Sequence, residues 1–141
     1  MPCTDFQLPT SLAEDAAAAG SRVFRPINPA YLPNSGAMVR AGSEGFGARV
    51  ALDGTDCSEL ATDLYRGAGD GYILRFDPAK RGGLTLFENG AFRPESYYHE
   101  VFTDGRYVFD PRLSATPIPK GDYMRFMKGL NKGVTVTTYR P

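Results

Sequence analysis

Residues 98–110, Tyr-His-Glu-Val-Phe-Thr-Asp-Gly-Arg-Tyr-Val-Phe-Asp, have the pattern of a β-hairpin. Two hydrophobic runs flank Asp104-Gly105, a dipeptide typical of two-residue type I′ turns. Such a turn places opposite one another Thr103 and Arg106, Phe102 and Tyr107, Val101 and Val108, Glu100 and Phe109, and His99 and Asp110. Directly opposed residues have Cβ atoms about 4.5–5.5 Å apart on one face of the sheet. The stretch therefore predicts contact between the His99 and Asp110 side chains.

His99 is the only histidine of the chain, and the hairpin gives it a carboxylate neighbour. In nucleophilic hydrolases a carboxylate beside the imidazole fixes its tautomer and stabilises the imidazolium. We therefore predict that His99 is a general base and that Asp110 orients it. Both residues also have an ordinary structural interpretation, because a strand histidine is often a half-buried polar residue and an aspartate before Pro111 often begins a turn.

Cys57 is the candidate nucleophile, because it opens a predicted helix. Asp56 suits the N-cap position, and Glu59 adds a capping-box signal. The apolar positions that follow have the spacing of one helix face and are Cys57, Leu60, Ala61, Leu64, Tyr65 and Ala68. The partial positive charge at a helix start favours the thiolate, and a nearby imidazolium adds to this effect. Together the three residues are the parts of a cysteine hydrolase, although a cysteine on such a helix is more often only a packing residue.

The composition limits the chemistry. The chain has 141 residues, of which 42% are hydrophobic, enough for one compact domain. Two cysteines are too few and too far apart to suggest a disulfide scaffold or a zinc site, and a single histidine excludes histidine-rich metal chemistry, so we expect no cofactor and no metal. The formal net charge is zero, which makes nucleic-acid binding an unfavoured prediction, although residues 111–141 hold six basic residues against one acidic residue.

No uniformly apolar stretch is longer than the four alanines at residues 16–19, so we predict no membrane span. The N-terminus also lacks the basic-then-apolar pattern of a signal peptide. We expect a soluble segment whose export, if it occurs, depends on a signal elsewhere in a larger parent chain.

Residues 1–50 are predicted as a loop-rich N-terminal segment, and residues 51–141 as the catalytic part of what is overall a single compact domain. Proline and glycine interrupt the first segment repeatedly. They leave one short helix at residues 12–19 and short strands near residues 23–24, 38–39 and 50–51.

After the Cys57 helix, the pattern changes to that of strands. It predicts strands at residues 72–76, 84–87 and 134–139, with a tight turn at Asn89-Gly90. A helix capped by Asp122 is predicted before the last strand. This order indicates an α+β fold in which the helix bearing the cysteine packs on an antiparallel β-sheet.

Four stretches resemble the papain-fold toxin domains at the C-terminal tips of bacterial polymorphic toxins. They are residues 55–61 (Thr-Asp-Cys-Ser-Glu-Leu-Ala), 88–90 (Glu-Asn-Gly), 98–101 (Tyr-His-Glu-Val) and 104–110 (Asp-Gly-Arg-Tyr-Val-Phe-Asp). The resemblance covers about residues 54–130. It implies a papain-like fold, delivery into a target cell, a target-cell protein as substrate and a cognate immunity protein. It also implies a cysteine protease or glutamine deamidase with Cys57 as nucleophile, His99 as general base and acid, and Asp110 as orienting residue.

The chain departs from papain-like enzymes at the oxyanion hole. Those enzymes often carry a glutamine several residues before the cysteine, whereas residues 49–56 contain neither glutamine nor asparagine. The oxyanion would then depend on the Cys57 backbone N–H and a second donor, for which Ser58 and Thr55 are the candidates. Losing one donor costs about 3–4 kcal/mol in known enzymes, so an absent donor predicts a slow enzyme or a substrate that supplies its own donor.

Three functions stay open at this point. The first is a thiol-dependent acyl-transfer enzyme that cleaves either a peptide bond or a glutamine side chain. The second is a cell-wall peptide amidase, because Asp56-Cys57-Ser58 is similar to the start of the corresponding helix in papain-like cell-wall peptidases. Those peptidases usually continue with Gly-Leu, where this chain has Glu59-Leu60. The third is a non-enzymatic protein-binding module that uses the basic segment 111–141 or the aromatic residues Tyr97 and Tyr98.

Overall fold

The computed structural model of the chain describes residues 24–52, 54–79 and 82–141. The helix predicted at residues 12–19 lies outside these ranges, as does the first residue of the strand predicted near residues 23–24. The described elements are α1 (Ser35–Ala41), α2 (Glu44–Ala51), α3 (Cys57–Ala68), β1 (Tyr72–Asp77), β2 (Leu84–Glu88), β3 (Ala91–Ser96), β4 (His99–Thr103), β5 (Tyr107–Phe109), β6 (Ile118–Pro119), α4 (Lys120–Leu130) and β7 (Thr135–Tyr139). None of these helices has the length and apolar character that crossing a membrane requires.

The described residues form a mixed α+β fold with four helices and a five-stranded antiparallel sheet, which confirms the α+β part of the predicted fold class. The strand order is β6-β5-β4-β1-β7, and β2 and β3 form a separate two-stranded sheet. The strands predicted at residues 72–76, 84–87 and 134–139 are confirmed as β1, β2 and β7. The turn at Asn89-Gly90 is also confirmed, because Glu88 pairs directly with Ala91 across two residues of positive φ.

The strands predicted near residues 38–39 and 50–51 are wrong, because those residues belong to α1 and α2. Side-chain caps start both helices: Asn34 accepts a hydrogen bond from the backbone of Ala37, and Ser43 accepts one from Phe46. Gly36 is not a breaker either, since a Cβ there would overlap the carbonyl oxygen of Gly67 in α3. The glycine permits two helices to approach closely, a role that local sequence does not distinguish from that of a loop.

The hairpin is present, but its predicted register is wrong. Phe102 pairs with Phe109 and Thr103 with Val108, so the connection has four residues instead of two. The Asp104 carboxylate accepts hydrogen bonds from the backbone of Arg106 and Tyr107 at 2.9 and 2.8 Å, and the Thr103 hydroxyl donates to the Tyr107 carbonyl. These side-chain bonds stabilise a wider loop. Because the register shifts by an even number of residues, every side chain of the hairpin keeps its face.

The last helix begins three residues earlier than predicted. Pro119 is the N-cap of α4 and Asp122 lies in its first turn, so Asp122 is not the cap. Its carboxylate instead accepts hydrogen bonds from the backbone and guanidinium of Arg25 at 2.8 and 3.0 Å. This partner lies 97 residues away in the sequence, where a local capping pattern gives no indication of it.

Both faces of the five-stranded sheet are covered, and β4 contributes to both. Val101 belongs to a core with α4 and β2, whereas Phe102 belongs to a core with α1, α2 and α3. All five residues of β4 are buried, as a strand covered on both faces requires, although His99, Glu100 and Thr103 are polar. His99, at the start of β4, therefore lies at the end of a strand that is fixed from both sides.

Candidate functional site

Cys57 is the first residue of α3, and the predicted helix start is confirmed. The Asp56 carboxylate accepts a hydrogen bond from the Ser58 backbone at 3.2 Å, which satisfies one of the free N–H groups at the helix start. Leu60 and Leu64 are buried on the helix face that contacts Phe102 of β4. This packing fixes the helix against the sheet and leaves the half-buried Cys57 near the start of β4.

Tyr98 ties the start of α3 to β4. Its hydroxyl donates to the Asp56 carboxylate at 2.8 Å, and the Arg75 guanidinium lies 4.3 Å from the centre of its ring. Burial would raise the pKa of Asp56, but the hydrogen bonds from Tyr98, Ser58 and Cys57 hold it below its usual value. The N-cap therefore stays ionised, and the residue before Cys57 is held from the side of the strand that carries His99.

His99 is 2% exposed and contacts Asp110 directly, with 3.0 Å between Nε2 and Oδ2. Its ring also packs near that of Phe76, with 6.4 Å between the centroids. The other ring nitrogen, Nδ1, is buried and makes no hydrogen bond within the part of the chain that the structure describes. A buried nitrogen without a hydrogen-bond partner is uncommon and costs free energy, so this atom requires an explanation.

Tyr123 of α4 is a residue of this site that the sequence analysis missed. Its hydroxyl donates to the same Asp110 Oδ2 atom that contacts His99, at 2.8 Å. The helical pattern places Tyr123 among core residues, and it is indeed fully buried. The available signal was chemical, because a tyrosine in a core requires a hydrogen-bond partner for its hydroxyl and buried carboxylates supply one.

Cys57, His99 and Asp110 lie around one pocket between α3, β4 and the segment after β5. The cavity volume is about 10 Å³, the room that a single water molecule needs. Its lining residues are Cys57, Leu60, Ala61, Leu64, Glu88, His99, Glu100, Val101, Phe109, Asp110, Pro111 and Arg112.

The two residues proposed as second oxyanion donors are placed elsewhere. Ser58 lines a depression along the outer side of α3 with Thr62 and Arg66, and its backbone N–H is bonded to Asp56. Thr55 precedes the helix, and its carbonyl accepts a hydrogen bond from Arg112. Neither residue is part of the lining of the Cys57 pocket.

Arg112 is a second residue that the sequence analysis missed. Its guanidinium donates to three backbone carbonyls before α3, those of Val50 at 3.1 Å, Leu52 at 2.7 Å and Thr55 at 2.7 Å. Its own carbonyl accepts from the Asn89 backbone at 2.7 Å. The segment after β5 is thereby fixed to the connection that leads into Cys57. No local pattern indicates such a contact, which spans about 60 residues of sequence.

The electrostatics of the pocket favour a charged histidine. Burial alone would lower the pKa of His99, but the charge and hydrogen bond of Asp110 outweigh it and, with a contribution from Cys57, raise the pKa to about 10. Burial, followed by the charge of Asp110, raises the pKa of Tyr123 well above its usual value, so its hydroxyl stays a donor. The raised pKa therefore favours the imidazolium form of His99 at neutral pH.

Glu88 adds a further carboxyl group to the pocket. Burial raises the pKa of Glu88 above its usual value, and the charge of Asp110 adds to the rise, while His99, Arg112 and Arg93 act in the opposite sense.

Among the described residues, no group of histidine, cysteine and carboxylate side chains has the arrangement of a metal site. Comparisons of the chain with protein-family models, with curated proteins and with solved structures find no match.

Proposed function

We propose that this protein is a thiol-dependent hydrolase of amide bonds in which Cys57 is the nucleophile, His99 the general base and acid, and Asp110 the orienting residue. One observation carries the proposal. The buried Nδ1 of His99 has no hydrogen-bond partner among the described residues, yet it belongs to the Cys57 pocket while Nε2 is held by Asp110. One occupied and one available nitrogen is the arrangement of a base that is oriented for proton transfer.

The arrangement supports a two-step acyl transfer. The Cys57 thiolate attacks the amide carbon, and the protonated Nδ1 of His99 gives its proton to the departing nitrogen as the C–N bond breaks. Water then attacks the thioester carbon, His99 takes a proton from this water, and the C–S bond breaks. The products are a carboxylic acid, an amine or ammonia, and the free thiol. Asp110 stabilises the imidazolium before each proton is delivered.

The oxyanion is assigned to the start of α3 in this proposal. The Cys57 backbone N–H lies at the positive end of the helix, which favours a developing negative charge. Ser58 and Thr55 remain the candidates for a second donor, and each requires its side chain to move toward the pocket. A site with one preorganised donor is expected to turn over slowly.

From the sequence resemblance we also propose that the protein has a papain-like fold and is delivered into a target cell. Its substrate is then a protein of the target cell, and its partner is a cognate immunity protein. The Cys57 pocket, at about 10 Å³, has room for one water molecule and so favours neither a peptide bond nor a glutamine side chain as the substrate amide. A peptidase needs a long groove for extended chain, whereas a deamidase needs a narrow slot for one side chain.

The first test measures the alkylation rate of Cys57 by iodoacetamide from pH 4 to 9, with the modified peptide identified by mass spectrometry. We expect Cys57 to react well below pH 7 and to lose about tenfold or more of this reactivity in His99→Ala. The remaining cysteine, Cys3, is the internal reference. If Cys57 reacts with the pH profile of Cys3 and the His99 substitution has no effect, the enzyme proposal fails. The protein-binding module then becomes the better description.

A further inference from the structure

Glu88 is held at the Cys57 pocket by a rigid turn. It is the last residue of β2 and is followed by Asn89-Gly90, a two-residue turn with φ of 49° and 80°. The Asn89 backbone donates to the carbonyl of Arg112 at 2.7 Å, and its side chain donates to the carbonyl of Val50 at 3.3 Å. These bonds fix the end of the β2–β3 sheet to both segments that position Asp110 and Cys57.

At the Cys57 pocket, the side-chain oxygens of Glu88 are able to accept further hydrogen bonds. The residue is 8% exposed, and the cation recorded beside it is Arg93, with 3.9 Å from Nε to Oε1, which is too long for a hydrogen bond. Nothing in the described chain donates a hydrogen bond to it. The buried Asp110 accepts two such bonds, and buried carboxylates in general are hydrogen-bonded. The Glu88 carboxyl group therefore lies at a pocket that already contains the unpartnered Nδ1 of His99.

We propose that Glu88 is a further catalytic residue, whose carboxylate accepts a hydrogen bond from the leaving nitrogen while His99 protonates that nitrogen. This inference rests on the proposed function. The departing nitrogen gains an N–H bond and positive character in this step, and a carboxylate in the same pocket stabilises both. The ligand class is thus a primary or secondary amine, with ammonia as its smallest member. By microscopic reversibility, the same contact binds an amine that attacks the acyl-enzyme.

The test uses this reverse step, because it requires no knowledge of the natural substrate. The full chain is treated with p-nitrophenyl acetate, which transfers its acetyl group to the Cys57 sulfur and releases p-nitrophenolate. In ammonium chloride buffer the thioester divides between water, which gives acetate, and ammonia, which gives acetamide. In the second reaction a C–N bond forms, the C–S bond breaks, and a proton of ammonia passes through His99 to the sulfur. The measured quantity is the ratio of acetamide to acetate.

We expect the wild-type ratio to exceed that of a small thioester in the same buffer. Glu88→Ala lowers it by about tenfold, the effect of losing one charge-assisted hydrogen bond, and Glu88→Gln lowers it less because its amide oxygen still accepts. The matched control is Glu59→Gln, an exposed carboxylate in the first turn of α3, which leaves the ratio unchanged. The rate of p-nitrophenolate release also stays within about twofold in Glu59→Gln, whereas in the Glu88 variants only the product ratio is compared, because both products come from the same acetyl-Cys57.

The two levels of the proposal fail differently. If acetyl-Cys57 forms in the wild type but both Glu88 variants keep the wild-type ratio, the role of Glu88 is overturned and the proposed hydrolase survives. If peptide mapping finds no acetyl group on Cys57 in the wild type, the hydrolase itself is overturned and the role of Glu88 falls with it. Should Glu88→Ala fail to fold, the near-isosteric Glu88→Gln gives the decision by the same ratio.

Discussion

Two buried aspartates, Asp122 in the first turn of α4 and Asp110, which bonds to Tyr123 of the same helix, have opposite kinds of partner. The Asp122 carboxylate is held by the guanidinium groups of Arg25 and Arg125, which are largely exposed to solvent. The Asp110 carboxylate is held by His99 and Tyr123, which are fully buried. Arginine stays charged at all accessible pH values, whereas histidine gains and loses a proton. The first pair is thus suited to hold a fold together, and the second to move a proton.

The substitution with the largest expected effect is Asp110→Asn, which keeps the shape of the Asp110 side chain and removes its charge. Without the carboxylate, burial dominates and the pKa of His99 falls from about 10 to below its usual 6.5. Because His99 is the only histidine, its imidazole signals report this titration by NMR without ambiguity. We expect Cys57 alkylation at pH 6 to fall by about tenfold or more, and turnover of any substrate by about 10²–10⁴-fold.

Asp122→Asn is the matched substitution and is expected to affect stability instead. The Arg25 guanidinium lowers the pKa of Asp122, so its contribution is fully present above the unfolded value of 3.8 and is lost as the pH falls through the lower folded value. We expect a loss of about 2–3 kcal/mol in urea unfolding at pH 7 and a weaker dependence of stability on acid. In Asp122→Asn we also expect the titration of His99 and the alkylation rate of Cys57 to be the same as in the wild type. A fall in reactivity as large as that of Asp110→Asn would remove the distinction between the two aspartates.

At alkaline pH, the stability of the protein depends on the Asp110–His99 pair and not on the Asp122–arginine contacts. The folded pKa of His99 is raised from 6.5 to about 10, so the stabilisation it provides is fully present below pH 6.5 and is lost as the pH rises toward 10. One proton gives a slope of at most about 1.4 kcal/mol for each pH unit. We expect urea midpoints to decline over this range in the wild type and to decline less in His99→Gln. Parallel curves for the two proteins would show that His99 is not protonated in the folded state.

Tyr123→Phe gives the smallest effect and sharpens the assignment of Asp110. One of two hydrogen bonds to Oδ2 is lost, which costs about 1 kcal/mol of stability and lowers Cys57 alkylation by a few fold as Asp110 becomes less firmly oriented. Tyr107→Phe is the control, because Tyr107 belongs to the other core and its hydroxyl bonds to the backbone of Asn28 and Tyr31, away from Asp110. This variant should lose similar stability and keep full reactivity. Equal losses of reactivity in both variants would identify the effect of Tyr123 as general destabilisation.

The features that the sequence predicted correctly depend on local interactions, or only on which face of a strand a side chain occupies. The helix start at Cys57 follows from its cap, and β1, β2 and β7 follow from their composition. The nearness of His99 and Asp110 followed from a hairpin with the wrong register, because a shift of two residues preserves the face of every side chain. Whether the residues at this pocket are catalytic stays a prediction.

The features that sequence did not indicate depend on distant partners. Asp122 bonds to Arg25 and does not cap its helix. Arg112 bonds to backbone carbonyls, which every residue type carries, so the sequence does not indicate which residues it contacts. The glycine-rich stretch at residues 35–51 forms two helices because Asn34 and Ser43 cap them and because Gly36 meets α3. Propensity is a weak indicator where tertiary packing and caps oppose it.

Asp110 and Arg112 are separated by a single proline, and this spacing has a mechanical consequence. Pro111 fixes its own φ near about −65°, so the three residues form a short, stiff piece of chain. One end of this piece holds the imidazole of His99, and the other end holds the carbonyls that lead into Cys57. One short segment of backbone therefore carries both the carboxylate that holds the imidazole and the guanidinium that holds the connection into the Cys57 helix.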